Sequence, residues 1–504
     1  MAMPNIILTT LNARYIHCSL GLRYLYANLG DLQSQCVIQE FIIDKRPIDI
    51  VEQLLQTKPK IIGFGVYIWN IQQCTETISI LKQLSPETIV VIGGPEVSYE
   101  NKDLDISRYA DFVISGQADL EFANLCNAIL NQNHPTEKWI NCLPPKLDEL
   151  KLPYSYYKDE DVANRVIYVE ASRGCPFKCE FCLSALDKTA IAFDQDLFLD
   201  EMQKLYERGV RQFKFVDRTF NLKIDASIRI LEFFLARMEN NLFVHFELIP
   251  DHLPEKLKVV IKRFPAGALQ FEIGVQTFNP EIQALISRKQ NNEKSRNNIS
   301  WLSQETETHL HTDLILGLPG EDLQSIAQGF NELYALKPHE IQVGVLKRLK
   351  GTPILRHSDV YEMRYNPNPP YNILSTSTLD FNTMQRLSRF ARYWDMIGNS
   401  GRFSSSIDFI LGLNPFQTFL TISDWLFDRT GQTHRIALAR LFDLLYTCLT
   451  QELARNQQET ANKLWEDFQK SGLKGVPGFM KTDSMLQTKN NLSYTPRRQN
   501  RHLQ

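Results

Sequence analysis

The chain has no excess of positive charge, no long apolar run and no even set of cysteines, and each absence removes a class of function. Its 504 residues carry a formal net charge of −3, so no basic field recommends a nucleic-acid partner. Apolar stretches such as "IIGFGVYIW" (61–69) fall far short of the roughly 20 residues that cross a bilayer. The first residues, "MAMPNIILTT", lack the basic region and apolar core of a secretory leader. A cytoplasmic location is therefore expected, with thiols kept reduced. Of the nine cysteines, Cys18, Cys36, Cys74, Cys126, Cys142 and Cys448 are scattered and read as small buried hydrophobes. The other three, Cys175, Cys179 and Cys182, fall within eight positions of "EASRGCPFKCEFCLSA" (170–185). That cluster has no fourth cysteine close by and no histidine in its loop.

What is present is an ordinary globular composition, 43% hydrophobic and 22% charged, long enough for two to four domains at usual sizes. Residues 1–140 repeat one pattern. Short β-branched runs stand at "NIILTT" (5–10), "CVIQEFII" (36–43), "KIIGFGVY" (60–67), "TIVVIGG" (88–94) and "DFVISG" (111–116), separated by segments of helical apolar spacing. Alternating strands and helices predict a five-stranded parallel, Rossmann-like (flavodoxin-like) sheet. Ligands of such sheets bind outside the carboxyl ends of the strands. Those ends carry "LNARYIHCSLG", "GFGVYIWN", "GGPEVS" and "SGQADLE". Gly93 and Gly94 either admit a ligand close to the backbone or simply make a tight turn.

A linker, "NCLPPKLDELKLPYSYY" (141–157), marks a boundary. The alternation then restarts over 158–355, with strands expected at 165–172, 211–217, 242–249, 267–276, 308–317 and 339–346. Six βα units are too few for a closed eight-stranded barrel, so a partial (β/α)6 TIM-type barrel is expected. Active sites of barrels lie at the C-terminal strand ends, and the cysteine cluster follows the first strand directly. Residues 356–480 read as mostly helical, with amphipathic runs at 386–397 and 435–454. The polar, basic stretch 481–504 reads as a disordered tail. Taken together, the fold class is α/β in the first two domains and helical in the third.

Three thiolates on a 4Fe–4S cube leave one iron open to a ligand. A structural zinc would need a fourth protein ligand from elsewhere. Three unrelated cysteines would need neither. The spacing CxxxCxFC straight after a barrel's first strand favours the cluster.

On these residues the chain resembles the radical S-adenosylmethionine (radical SAM) superfamily, and the resemblance extends over residues 165–355. It implies that Cys175, Cys179 and Cys182 hold a 4Fe–4S cluster whose open iron binds S-adenosylmethionine, with Phe181 beside the third thiolate. Further positions carry over by strand end. "FVDRTFN" (215–221) nominates Asp217 for the methionine amino group, although it departs from the commoner Gly-Gly-Glu. "FELIPDHL" (246–253) nominates Glu247 for the ribose. "GVQTFNPEIQALISRKQ" (274–290) nominates Gln276, and Arg288 for the methionine carboxylate. "DLILGLPGED" (313–322) nominates Asp313 for the adenine and ribose.

The first domain resembles the cobalamin-binding domain that precedes this barrel in one large class of these enzymes. The resemblance implies cobalamin contacts at Tyr15, His17, Gly93, Gly94, Ser115 and Gly116. The usual Asp-x-His-x-x-Gly is here "YIHCSLG" (15–21): Tyr15 replaces the aspartate and Gly21 sits one place late. An imidazole on cobalt normally has its other nitrogen oriented by an acceptor, and the usual carboxylate is missing here, so His17 is expected to line the corrin face or cap the following helix, with cobalt ligation as the alternative. With its helical tail, the whole chain is similar to a group of such proteins that bear a helical C-terminal domain. Lys347, Arg348 and Lys350 are expected near the barrel rim, either to dock an acidic substrate group or as a solvated edge.

The resemblance implies a radical SAM enzyme that activates an unreactive carbon, with methyl transfer from methylcobalamin as the first reading. It also implies a small-molecule or peptide substrate and an electron donor such as flavodoxin or ferredoxin, without membrane or nucleic acid. Alternatives are ring formation or rearrangement without methyl transfer, a tRNA methylthiotransferase, or a zinc- or corrinoid-binding carrier. A methylthiotransferase needs three N-terminal cysteines for a second cluster, and Cys18, Cys36 and Cys74 lie at no turn that resembles one.

Overall fold

Every residue of the first strand, Ile6–Asn12, is buried, as a central strand covered on both faces requires. The computed structural model describes residues 4–238 and 241–480; the tail expected at 481–504 lies outside the described residues. Six parallel strands form the first sheet: β1 (Ile6–Asn12), β2 (Cys36–Ile42), β3 (Ile61–Gly65), β4 (Ile89–Gly93), β5 (Phe112–Ser115) and β6 (Trp139–Asn141). Their order is β2-β1-β3-β4-β5-β6, so the chain reverses direction across the sheet between β1 and β3. The five-stranded expectation is corrected by β6, which pairs Val113 with Trp139 at the edge. Three residues, two half-buried and one exposed, at the start of a Pro-rich linker give no alternation to read.

The second sheet is the expected partial barrel. Its strands β7 (Ile167–Val169), β8 (Gln212–Phe215), β9 (Phe243–Leu248), β10 (Leu269–Gln276), β11 (His309–Leu316) and β12 (Glu340–Val345) run in sequence order and all parallel. Two-residue alternation sorts their side chains. Phe213, Phe215, Val244, Phe246, Phe271 and Leu310 join the apolar core. The intervening positions carry Lys214, His245, Glu247, Glu272, His311 and Asp313, a charged lining that a purely structural barrel would not keep.

The third region closes the barrel's free edge. Asn399 donates to the Ile341 carbonyl and accepts its N–H, both at 2.9 Å, so one side chain pairs the β12 backbone as a neighbouring strand would. The helix Phe381–Ile397 ends at Gly398 with Trp394 and Phe390 buried against Phe330 of the barrel helix Leu323–Ala335. This aromatic end is therefore core. Two cations of the basic stretch 347–350, Arg348 and Lys350, make contacts between domains, while Lys347 is exposed. Lys350 donates to Glu96 at 2.7 Å with both side chains buried, and the Tyr371 hydroxyl joins the same oxygen at 2.7 Å. Arg348 pairs with Glu100, which also accepts the Gly351 N–H at 3.1 Å. For Arg348 and Lys350 the expectation of a substrate-docking rim gives way to this internal use.

Candidate active site

A short ribbon, Ser172–Arg173 against Ile191–Ala192, closes the cysteine loop at its base. Gly174 follows with φ +87, and a Cβ there would strike the Thr189 carbonyl, so no other residue fits the turn. The Cys175 N–H donates to the Asp187 carbonyl at 3.0 Å, and the Cys182 N–H to that of Cys179 at 3.1 Å. Between them Glu180 is buried. Its carboxylate accepts the Ser287 hydroxyl at 2.6 Å, meets His357 Nε2 at 2.8 Å and pairs with Arg356. One carboxylate thus ties the loop to the segment after β10 and to the start of the third region.

The three cysteines share one cavity of about 250 Å³ with Phe181, Arg218, Glu247, Glu272, Gln276, Arg288 and Asp313. Five residues expected beside the thiols (Phe181, Glu247, Gln276, Arg288 and Asp313) are therefore brought together with them. Among the described residues no three His, Cys, Asp or Glu side chains are gathered tightly enough to hold a single metal ion. Arg288 reaches from its loop to Cys179 Sγ at 3.6 Å and to the Gly274 carbonyl. Its guanidinium lies beside a sulfur that burial pushes above the usual thiol range and that Arg288 pulls back. Gln276 sits at a bulge in β10 with φ +70, the kind of backbone departure that re-aims a side chain at a functional site.

Burial raises two of the acids here. It pushes Glu247 up to about 7, against the pull of Arg218. Asp313 is raised by burial too, while His311 Nε2 meets it at 3.1 Å. Burial opposes a charge on His311, but hydrogen bonds to Asp313 and Glu340 push it up to about 10.

Asp217 is not part of this wall. It is buried, and its oxygens accept the Ala171 N–H at 3.0 and 3.2 Å and the Ser172 hydroxyl at 2.6 Å. The carboxylate fixes the strand end below the cysteine loop, and its neighbour Arg218 enters the cavity instead. Asp217→Ala, which strands those two donors, is expected to cost about 1–3 kcal/mol of stability. Asp217→Asn keeps an acceptor and should lose less. Chemical denaturation checks the order; equal losses would contradict it.

A larger cavity, about 820 Å³, opens where the carboxyl ends of β1, β3, β4 and β5 face the barrel, at the reversal point where such sheets bind ligands. Its size lies within the range usual for cofactor sites. His17, Gly93, Gly94 and Gly116 line it; Tyr15 and Ser115 do not. Tyr15 is turned outward, its hydroxyl on Glu160 at 2.6 Å and its ring under Arg165. Ser115 is buried and accepts from Asn101 at 3.2 Å. Gly94 answers the earlier question about turn or ligand in part: a Cβ would lie 2.5 Å from the Val66 carbonyl, so the turn itself demands glycine. His17 Nδ1 meets the Tyr168 hydroxyl at 2.7 Å. The barrel's first strand thus supplies a hydrogen-bond partner for this ring.

Among the described residues, Arg218 is the one that stands in the walls of both cavities. Sequence reasoning missed it, along with Arg173, Glu180 and Tyr168. Arg218 and Arg173 lay one and two positions from residues already singled out, but nothing in their spacing marks direction.

Three known families match this chain in series: the B12 binding domain over residues 6–126, the radical SAM superfamily over 169–333, and a protein family of unknown function, DUF4080, over 359–504. Among curated proteins it is 28% identical over 240 residues to the uncharacterized methyltransferase PH0819 of Pyrococcus horikoshii, covering 42% of this chain and 52% of that one. It is 22% identical over 348 residues to the cobalamin-dependent radical SAM methyltransferase TokK of Streptomyces tokunonensis, covering 62% and 48%. The chain thus spans about half the length of these relatives. The solved structure of the cobalamin-dependent S-adenosylmethionine radical enzyme OxsB with aqua-cobalamin bound superposes with a TM-score of 0.63 at 14% identity, covering 93% of this chain and 81% of that one. At that identity the likeness concerns the fold alone.

Proposed function

For a chain that is a radical SAM protein with a B12-binding domain ahead of its barrel, we propose a cobalamin-dependent radical S-adenosylmethionine enzyme that methylates an unactivated carbon. The observation that carries this reading is the shared wall of the two cavities at Arg218. A substrate lodged there faces the cluster side and the corrin side at once. The smaller cavity fits a cluster, because three thiols line it and its wall contains no fourth cysteine and no histidine. When bound, the cluster with S-adenosylmethionine supplies a 5′-deoxyadenosyl radical, and methylcobalamin supplies the methyl group.

The chain's own share is binding, orientation and exclusion of water. Arg288, beside Cys179, is placed to pair a methionine carboxylate with its planar fork. Glu247 and Asp313 present carboxyl groups to the hydroxyls of a nucleoside. Gln276 supplies an amide donor and acceptor from its bulge. His17, held through Nδ1 by Tyr168, fits the corrin face of the larger cavity.

The methylthiotransferase alternative, which needs a second cluster, fares worse. Cys36 and Cys74 are buried in β2 and in the helix Ile71–Leu84, and Cys18 donates to the Val166 carbonyl, so the three form no N-terminal cluster site. The third region is helical rather than a basic β-barrel. The decisive test is anaerobic purification with hydroxocobalamin, removal of free cofactor, and assay of corrinoid and iron. About one corrinoid and about four irons per chain are expected. Iron without retained corrinoid would remove the role given to the first domain.

One pH dependence follows from Glu247. With its carboxyl at about 7, the anion that accepts ribose hydroxyls forms as pH rises through that value. Affinity for S-adenosylmethionine should therefore fall several-fold from about pH 8 to about pH 6. Glu247→Gln should flatten the profile. Equilibrium binding across this range checks it, and an unchanged slope in the variant would contradict the assignment.

A further inference from the structure

We propose that Arg173 is a positioning residue that holds the cysteine loop in register with the corrin-side loop of the first domain. The proposal rests on the two-cavity reading above and adds to it the element that fixes one cavity relative to the other.

Arg173 stands two residues before Cys175 in the ribbon that closes the loop. Its guanidinium grips Asp119 with two parallel hydrogen bonds, at 2.9 and 3.0 Å, and also donates to Gln117 Oε1 at 3.1 Å. Its Nε donates to Glu170 at 2.9 Å, and its face lies 4.5 Å from the Tyr24 ring centroid. Asp119 and Gln117 belong to the loop after β5, in the other domain. A second tie leaves the same loop: Gln117 Nε2 donates to Asp187 at 3.3 Å, and the Asp187 carbonyl accepts the Cys175 N–H at 3.0 Å. One three-residue stretch of the first domain therefore reaches Cys175 from both sides. Arg173, Glu170, Tyr24, Gln117, Asp119 and Asp187 all line the larger cavity, so a ligand there would lie against the two ties that lead to the first thiol.

The geometry of the fork carries the argument. A guanidinium held bidentately, stacked on an aromatic face and nearly buried, fixes distance and angle together. A lysine would keep the charge and lose the angle. Asp119 bonds none of the three loop cysteines; its own hydrogen bonds run to Arg173, so a change there reaches the cysteine loop first through that fork.

The test uses the full chain, reconstituted anaerobically with iron and sulfide, as parent, Arg173→Lys, Asp119→Asn and the double variant. Two quantities are read: the electron paramagnetic resonance spectrum of the reduced cluster with S-adenosylmethionine, and the affinity for S-adenosylmethionine. Both single variants should shift the spectrum in the same way and weaken binding about tenfold. The double variant should also lose about tenfold, not a hundredfold, because one contact is removed either way. A parent-like spectrum and affinity in Asp119→Asn, or losses that multiply in the double variant, would overturn the proposal. If Asp119→Asn does not fold, Gln117→Leu removes the second tie and must shift the spectrum too. A parent chain that takes up no iron overturns the underlying reading along with this one, and the iron count separates that outcome from a failure of the variants alone.

Discussion

Cys179→Ala should empty the smaller cavity of iron, from about four atoms per chain to well under one, and take release of 5′-deoxyadenosine below detection. Cys179 is buried at the centre of the loop, with Arg288 held 3.6 Å from its sulfur. Its loss leaves two thiols for four irons, and no other cysteine or histidine lines the wall. The fold should survive, since only one sulfur atom is removed and the loop is anchored separately through Glu180. Cys74→Ala is the matching control. That thiol is fully buried in the first domain and pushed far above its ordinary range by burial, so its removal should leave iron unchanged. Iron assay on both variants decides. Full iron in Cys179→Ala would be incompatible with the site.

The second large effect concerns the join between domains. Lys350→Met should destabilise the chain by about 3–5 kcal/mol, because it leaves Glu96 buried without its cation. Glu96 is then left with the Tyr371 hydroxyl at 2.7 Å, in a pocket where both original partners were nearly inaccessible. Replacing the pair together, as Lys350→Met with Glu96→Leu, removes the stranded charge and should recover much of the loss. Urea titration of the single and double variants measures this. A single variant as stable as the parent would show that the pair is solvated in solution and that the two domains are held otherwise.

Much of this architecture was legible in the residues. The barrel strands fell where β-branched and aromatic runs ended in charged positions, because alternation with period two leaves a mark that survives in one sequence. The cysteine loop could be placed at the mouth because it follows a strand directly, whereas Glu247, Gln276, Arg288 and Asp313 came from the resemblance to the radical SAM superfamily; the fold brings all of them to one cavity. What failed to show was of two kinds. β6 is three residues long at an edge, too short and too exposed to impose a pattern. Tyr15, Ser115 and Asp217 stand one or two residues from true wall positions, and a run of residues does not say which way each side chain turns. Asp217 is taken up by Ala171 and Ser172, and Arg218 takes the place in the cavity. The joins between domains were hidden for a different reason. Arg173 with Asp119, and Lys350 with Glu96, pair residues 54 and 254 positions apart, and only the docked fold brings them together. Lys350 shows how this misleads, since a cation near a barrel rim reads as a solvent-facing charge until its partner is known.

The central claim is that the barrel mouth breaks S-adenosylmethionine at an iron left open by three thiolates. The most direct test is to reduce the reconstituted chain anaerobically with S-adenosylmethionine present and to quantify 5′-deoxyadenosine by chromatography. Release that depends on both reductant and cluster is predicted. A chain carrying its full complement of iron that yields no nucleoside would contradict it.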